Sequence, residues 1–158
     1  MEKKSGIIGF TGAFRDSVKE IGKGSKVVFN GSVAVCTPFV ELLAYTIRDK
    51  DFEMIYVPKS DITEAKRIKE QPNIGYSVVN EKADPNGPDV LVVMGGLAMP
   101  KFGCSSEDVL NMIDEISDDK KPKIIGVCFM NIFERAGWTK KIPFDVLIDT
   151  NMETVVQG

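Results

Sequence analysis

The chain has 158 residues, 43% of them apolar and 27% charged, with 20 Lys+Arg against 23 Asp+Glu for a formal charge of -3 and no histidine. That length and composition predict one globular domain over 1–158, large enough to bury a core without a disulfide or metal staple. The missing histidine excludes Ser-His-Asp triads, Cys-His dyads, histidine-ligated zinc or non-haem iron and imidazole proton shuttles. The acidic balance, with a pI near 5.1, offers no long-range field for nucleic acid or an anionic membrane.

Phe10, Phe14, Val18 and Ile21 recur at helical spacing, with Thr11 as the expected N-cap and Gly22-Lys23-Gly24 as the stop. Residues 26–30 read as a short buried strand closed by Asn30-Gly31. Thr37-Pro38 then opens a helix striped by Phe39, Leu42, Leu43 and Ile47. A second strand is expected over 52–57, ending at Pro58. The capping-box spacing of Asp61 and Glu64 predicts a polar helix running to Gln71. A third strand is expected over 76–79, before the loop Asp84-Pro85-Asn86-Gly87-Pro88.

Residues 89–94 are apolar without alternation, the pattern of a strand covered on both faces of a parallel sheet. Ser105 heads a helix with Val109, Met112, Ile113 and Ile116 on its buried face. Strands over 123–128 and 144–148 flank a helical segment through Asn131 that ends at Gly137.

Strands alternating with helices predict a three-layer α/β/α sandwich, a doubly wound, mainly parallel sheet in flavodoxin-like order with an extra N-terminal helix. GxGxxG and GxxxxGK[ST] are both absent, which speaks against dinucleotide-binding and P-loop readings. No cofactor is called for.

Ligands of such sheets bind outside the carboxyl ends of the strands. The expected binding residues are therefore Gly31 and Ser32 after the first strand, Gly95 and Gly96 after the fourth, and the helix starts at Thr37 and Ser105. Their backbone amides would hold a small molecule or anion. Cys36, Cys104 and Cys128 are an odd set without a CxxC pair, which fits neither a disulfide framework nor a metal ribbon. All three are expected near one edge of the sheet, and no metal site is assigned to them. Cys128, between a strand and a helix, is the candidate nucleophile, since N–H groups at a helix start favour a thiolate. Lys101, Glu41 or Asp149 would then replace the absent histidine base.

The segment from Asp89 through Gly95-Gly96, a capped helix, the run Lys123 to Met130 and a helix ending at Ala136-Gly137 resemble the class I glutamine amidotransferase-like superfamily. The closest likeness is to its PfpI-type branch. The resemblance implies Cys128 as nucleophile and Gly95-Gly96 as an oxyanion-hole turn, although Phe129 and Met130 stand where that family carries smaller residues. In length and βα layout the whole chain also resembles a small family from methane-producing archaea.

Three functions follow in order. The first is a cytoplasmic small-molecule or anion-binding protein, the second a cysteine-dependent enzyme or redox sensor using Cys128. The third is a homodimeric assembly partner that uses Phe10, Phe14 and Val18. Nucleic acid and membrane are not expected partners. The basic start after Met1 lacks a signal-peptide core, and a reducing cytoplasm is the expected location.

Overall fold

The apolar runs form strands that are covered on both faces. A computed structural model describes residues 1–158. In chain order it contains α1 (Gly6–Ser17), β1 (Lys26–Gly31), α2 (Thr37–Thr46), β2 (Glu53–Pro58), β3 (Lys66–Gln71), β4 (Gly75–Lys82), β5 (Val90–Met94), α3 (Ser106–Ile116), β6 (Lys123–Phe129), α4 (Ile132–Arg135) and β7 (Val146–Thr150). One sheet of seven strands takes the order β4-β3-β2-β1-β5-β6-β7. Five of them, β2, β1, β5, β6 and β7, are paired in parallel, while β3 alone runs the other way, antiparallel to both β2 and β4. Numbered by their own succession, the parallel strands lie 2-1-3-4-5, a doubly wound order whose switch point falls between β1 and β5.

Alternation along each strand divides the core in two. Val27 and Phe29 of β1, Met54 and Tyr56 of β2, Val90, Val92 and Met94 of β5, and Ile125 and Val127 of β6 pack beneath α1 and α2. Val28, Ile55, Val57, Leu91, Val93, Ile124 and Cys128 pack on the opposite face beneath α3 and α4. The N-terminal helix is needed here, because residues 151–158 form no helix to cover the first face beyond β6. Phe10, Phe14 and Val18 do that covering and are 7%, 0% and 0% exposed. The stripe assigned to a dimer interface is therefore spent inside the fold. Arg15 ties α1 down with paired 2.7 Å bonds to Asp49, just beyond α2.

Three local expectations are corrected. The helix expected over 61–71 is a single 3₁₀ turn, Ile62–Glu64, followed by β3. Asp61 does cap, accepting from the Thr63 N–H at 3.0 Å, but the chain then extends. Lys66–Gln71 offers only Ile68 to a core, too little to hold a helix, whereas one buried residue suffices for a hairpin strand. The turn into β4 uses left-handed Asn73 and Gly75, and α2 holds β4 in place: Glu41 accepts the Val78 N–H at 2.8 Å. Thr11 is not an N-cap. The helix starts at Gly6, and the Thr11 hydroxyl donates to the Ile7 carbonyl inside it at 3.0 Å. The last strand is shifted to Val146–Thr150, so Asp149 and Thr150 belong to the ladder rather than to the loop after it.

The amino edge is knitted by Asp89. Its carboxylate accepts from Lys120 Nζ at 2.6 Å and the Lys26 N–H at 2.8 Å, while its carbonyl accepts the Lys123 N–H at 3.0 Å. The Lys120 bond, then the Lys26 bond, hold this carboxyl below its ordinary range. A depressed folded pKa contributes stability above the unfolded value of about 4, and that contribution is lost as the pH falls through the folded value. Asp89→Asn should therefore lower the urea midpoint at pH 7 and leave a smaller fall between pH 5 and 3; an unchanged acid limb refutes this. Phe14→Ala, which empties the centre of the first core, should cost about 3–5 kcal/mol in urea unfolding. A loss below about 1 kcal/mol would show that α1 is not an integral cover.

Candidate functional site

The carboxyl ends of β1, β5 and β6 do enclose a common space. Met94 of β5 pairs in register with Val127 of β6, and the two strands run the same way. A half-open cavity of about 100 Å³ lies at their exits, under the start of α2. Its walls are Val35 and Cys36 from the loop after β1, Phe39 of α2, Met94 to Gly96, Met99, and Val127, Phe129 and Ile132. Phe129 is clamped between Phe39 and Phe10, at ring separations of 4.7 and 5.4 Å. The cavity thus sits at the switch point, where open sheets of this order hold ligands.

The two glycines are required by contact, not by backbone conformation. A side chain on Gly95 would bring its Cβ to 2.6 Å from Cys128 Cβ. One on Gly96 would approach Cys36 Sγ to 2.5 Å. These contacts press from opposite faces of the sheet, because Cys36 belongs to the core under α1 and α2 and Cys128 to the other.

The three cysteines therefore do not converge. Strand alternation turns Val127 and Phe129 into the cavity and Cys128 away from it. Cys104 packs with Cys128 on the α3 side, and all three thiols are free. No group of three Cys, Asp or Glu side chains is placed to hold a metal.

Cys128 also lies within β6, two residues before the left-handed pair Met130 and Asn131, rather than on a strand–helix elbow. Burial pushes its thiol up to about 12; the N–H groups of Phe133 and Ile132 oppose the shift, and the Asp149 carboxylate 3.4 Å away adds to it. Asp149 also accepts the Asn131 N–H at 2.8 Å, so it anchors the turn. Of the other base candidates, Glu41 holds β4 and Lys101 is exposed in the loop after the Gly95–Ala98 turn.

Cys36, given no role by the sequence reading, is the thiol that faces the cavity. It directly precedes Thr37-Pro38 at the head of α2, and no acidic residue occupies that helix's first turn. Burial raises its pKa, opposed by the N–H groups of Ser32 and Gly96 and by the Ser32 hydroxyl beside the sulfur. That hydroxyl reaches no partner in hydrogen-bonding geometry. Burial prevails, so at neutral pH the sulfur keeps its proton.

The remaining expected residues separate. Gly31 touches this group, since a Cβ there would meet Cys36 Cβ at 2.6 Å. The Thr37 hydroxyl turns towards the Tyr56 hydroxyl at 3.4 Å, whose pKa burial pushes up to about 12. Ser105 heads α3, outside the cavity lining, and its hydroxyl oxygen and its N–H are used in a capping box. Its hydroxyl accepts the Asp108 N–H at 3.0 Å, and its own N–H goes to the Asp108 carboxylate at 3.2 Å. That helix start is closed to an anion by its own acid.

The chain matches, over residues 5–153, the model of DUF2124, a family described as an uncharacterized protein conserved in archaea. It is 39% identical over 149 residues to an uncharacterized protein of Methanocaldococcus jannaschii, covering 94% of this chain and 88% of that one. An uncharacterized protein of Methanothermobacter thermautotrophicus is 35% identical over 151 residues, covering 96% and 93%. A crystal structure of a protein of unknown function from Methanothermobacter thermautotrophicus superposes with a TM-score of 0.89 at 33% identity, covering 100% of this chain and 96% of the other. These findings overturn the resemblance to the glutamine amidotransferase-like, PfpI-type superfamily, because the family that matches the chain is a different one. The chain belongs to the archaeal family DUF2124.

Proposed function

We propose that this protein binds a small, uncharged, mostly apolar molecule at the carboxyl edge of its sheet. The observation that carries the reading is the apolar cavity at the switch point, eight of whose ten lining residues are hydrophobic. Its volume of about 100 Å³ suits a few heavy atoms, the end of a ligand rather than a whole cofactor, since full ligand pockets run to roughly 300–1,000 Å³.

Charge argues for the uncharged form over an anion. No lysine or arginine lines the cavity, and its one ionisable wall, Cys36, is held neutral by burial. An anion moved there would lose its hydration for the start of α2 alone, a cost of several kcal/mol. Chemistry at Cys128 would have to work against a thiol pushed up to about 12 beside a carboxylate. Binding without covalent chemistry asks for no such reversal.

Xenon is the simplest probe, because dry apolar cavities of this order take it up. In xenon-saturated solution the amides of Val35, Gly96 and Val127 should shift saturably in NMR spectra. Met99→Trp, which plugs the half-exposed rim, should abolish those shifts while leaving the fold's other resonances in place. Shifts confined to distant residues, or equal in the plugged variant, would refute the cavity as a binding site.

A further inference from the structure

Three sulfur-bearing side chains line the cavity: Cys36 at the head of α2, Met94 at the end of β5 and Met99 at the half-exposed rim. The Cβ that Gly31 lacks would lie 3.3 Å from Cys36 Sγ and 3.4 Å from Met94 Cγ, so these two side chains stand side by side. Met99 belongs to the turn that presses on this thiol, its N–H donating to the Gly96 carbonyl at 3.2 Å. Methionine is an ordinary core filler. Two methionines beside a cysteine would mean little if the cysteine were packed as a small hydrophobe.

Cys36 is not packed that way. The N–H groups of Ser32 and Gly96 both reach its sulfur, and Ser32 Oγ lies beside it. Ser32 is 1% exposed, and its hydroxyl finds no partner in hydrogen-bonding geometry. A buried hydroxyl left in that condition is costly and uncommon. A protonated thiol is too weak an acceptor to use three donors. A thiolate bound to a metal uses them, because hydrogen bonds to a ligating sulfur orient it and tune the ion it holds. The acceptor that Ser32 lacks is therefore the deprotonated form of its neighbour.

We propose that the cavity binds one Cu(I) ion, held by Cys36 Sγ as the thiolate and by the thioether sulfurs of Met94 and Met99. Thiolate and thioether donors together select a soft cation over a hard one. Zinc would ask for four tetrahedral ligands and would leave a net positive charge in an apolar space. A monovalent ion on one thiolate is neutral as a pair. On binding, the S–H bond is exchanged for S–Cu, the proton leaves to solvent, and copper keeps its oxidation state. The ion thus meets the same demand for zero net charge that favours the uncharged molecule above, and the two compete for one space. The copper site goes beyond that reading and stands without it.

The test is an anaerobic titration of the full chain with Cu(I), delivered from its bicinchoninate complex. One ion per chain should bind, with a thiolate-to-copper charge-transfer band in the ultraviolet and NMR shifts of the Met94 and Met99 methyl groups. Bound copper should also exclude xenon. Cys36→Ser should abolish the band. Ser32→Ala should weaken binding about tenfold, the effect of removing a hydrogen-bonding partner behind a ligand. Met99→Leu, at the rim and of similar volume, should keep the fold and weaken binding more than Ser32→Ala does. A band that survives Cys36→Ser, unaltered affinity in Met99→Leu, or Zn(II) binding as tightly as Cu(I) would overturn the proposal. No copper uptake while xenon enters normally would overturn it too and leave the apolar reading intact. Copper uptake by a wild type that xenon never enters would support the ion and refute that reading instead.

Discussion

The geometry of the site depends on how closely backbone and sulfur approach at the exit of β5. Met94 pairs with Val127, and directly afterwards the chain passes between two cysteine side chains that press on it from opposite faces. A Cβ at position 95 would collide with Cys128, and one at 96 with Cys36. Glycine at both positions lets β5 and β6 stay in register to their ends and brings the loop after β1 down upon the turn. The cavity is what remains above that contact. It is bounded by side chains too bulky to follow the backbone into the space, chiefly Phe39, Phe129 and Met99. The cavity at this edge is thus a consequence of the packing that closes the sheet.

Much of this was legible in the chain, for identifiable reasons. Val90–Met94 and the run at 123–128 have no alternation, and only burial on both faces accounts for that. The helix start read at Ser105 formed where expected, and it closes with a capping box to Asp108 within four consecutive residues. The glycine pair was assigned correctly to the carboxyl edge. What escaped was set by partners distant in sequence. Lys66–Gln71 carries one apolar residue and so no period at all, and its strand character comes from pairing with β2 and β4. α1 begins before Thr11 because its first turn needs no buried residue: Ile7 and Ile8 are exposed.

The cysteines hold the sharper lesson. Cys128 looked like the thiol at the strand exit, yet the alternation of β6 settles its direction. If Val127 and Phe129 face the cavity, Cys128 cannot. That parity was available in the sequence once the register with β5 was granted. Cys36 was less visible, since a thiol before Thr37-Pro38 reads only as the start of a helix. Its role as a cavity wall depends on Gly96, a residue of another strand's exit.

Electrostatics and packing agree on what this edge can hold. Three helices of more than one turn begin there, α1 among them, with Phe10 of its first turns packed on Phe39 and Phe129. α3 closes its own start with Asp108 and brings Glu107 beside it, so the ordinary anion-binding end is already occupied by carboxylates. α2 starts with a protonated thiol, a proline and an aromatic ring over the apolar space. The crossover from β2 to β5, which in an ordinary doubly wound sheet would carry another helix and another open N-terminus, is here the β3–β4 hairpin. Replacing that helix removes a further source of positive potential at the carboxyl edge. The fold therefore keeps the position where such sheets bind ligands, while one of its helix starts is closed by acid and another is replaced by a hairpin. What it leaves is an apolar space whose one ionisable wall is a protonated thiol, the surroundings that suit the uncharged ligand proposed above.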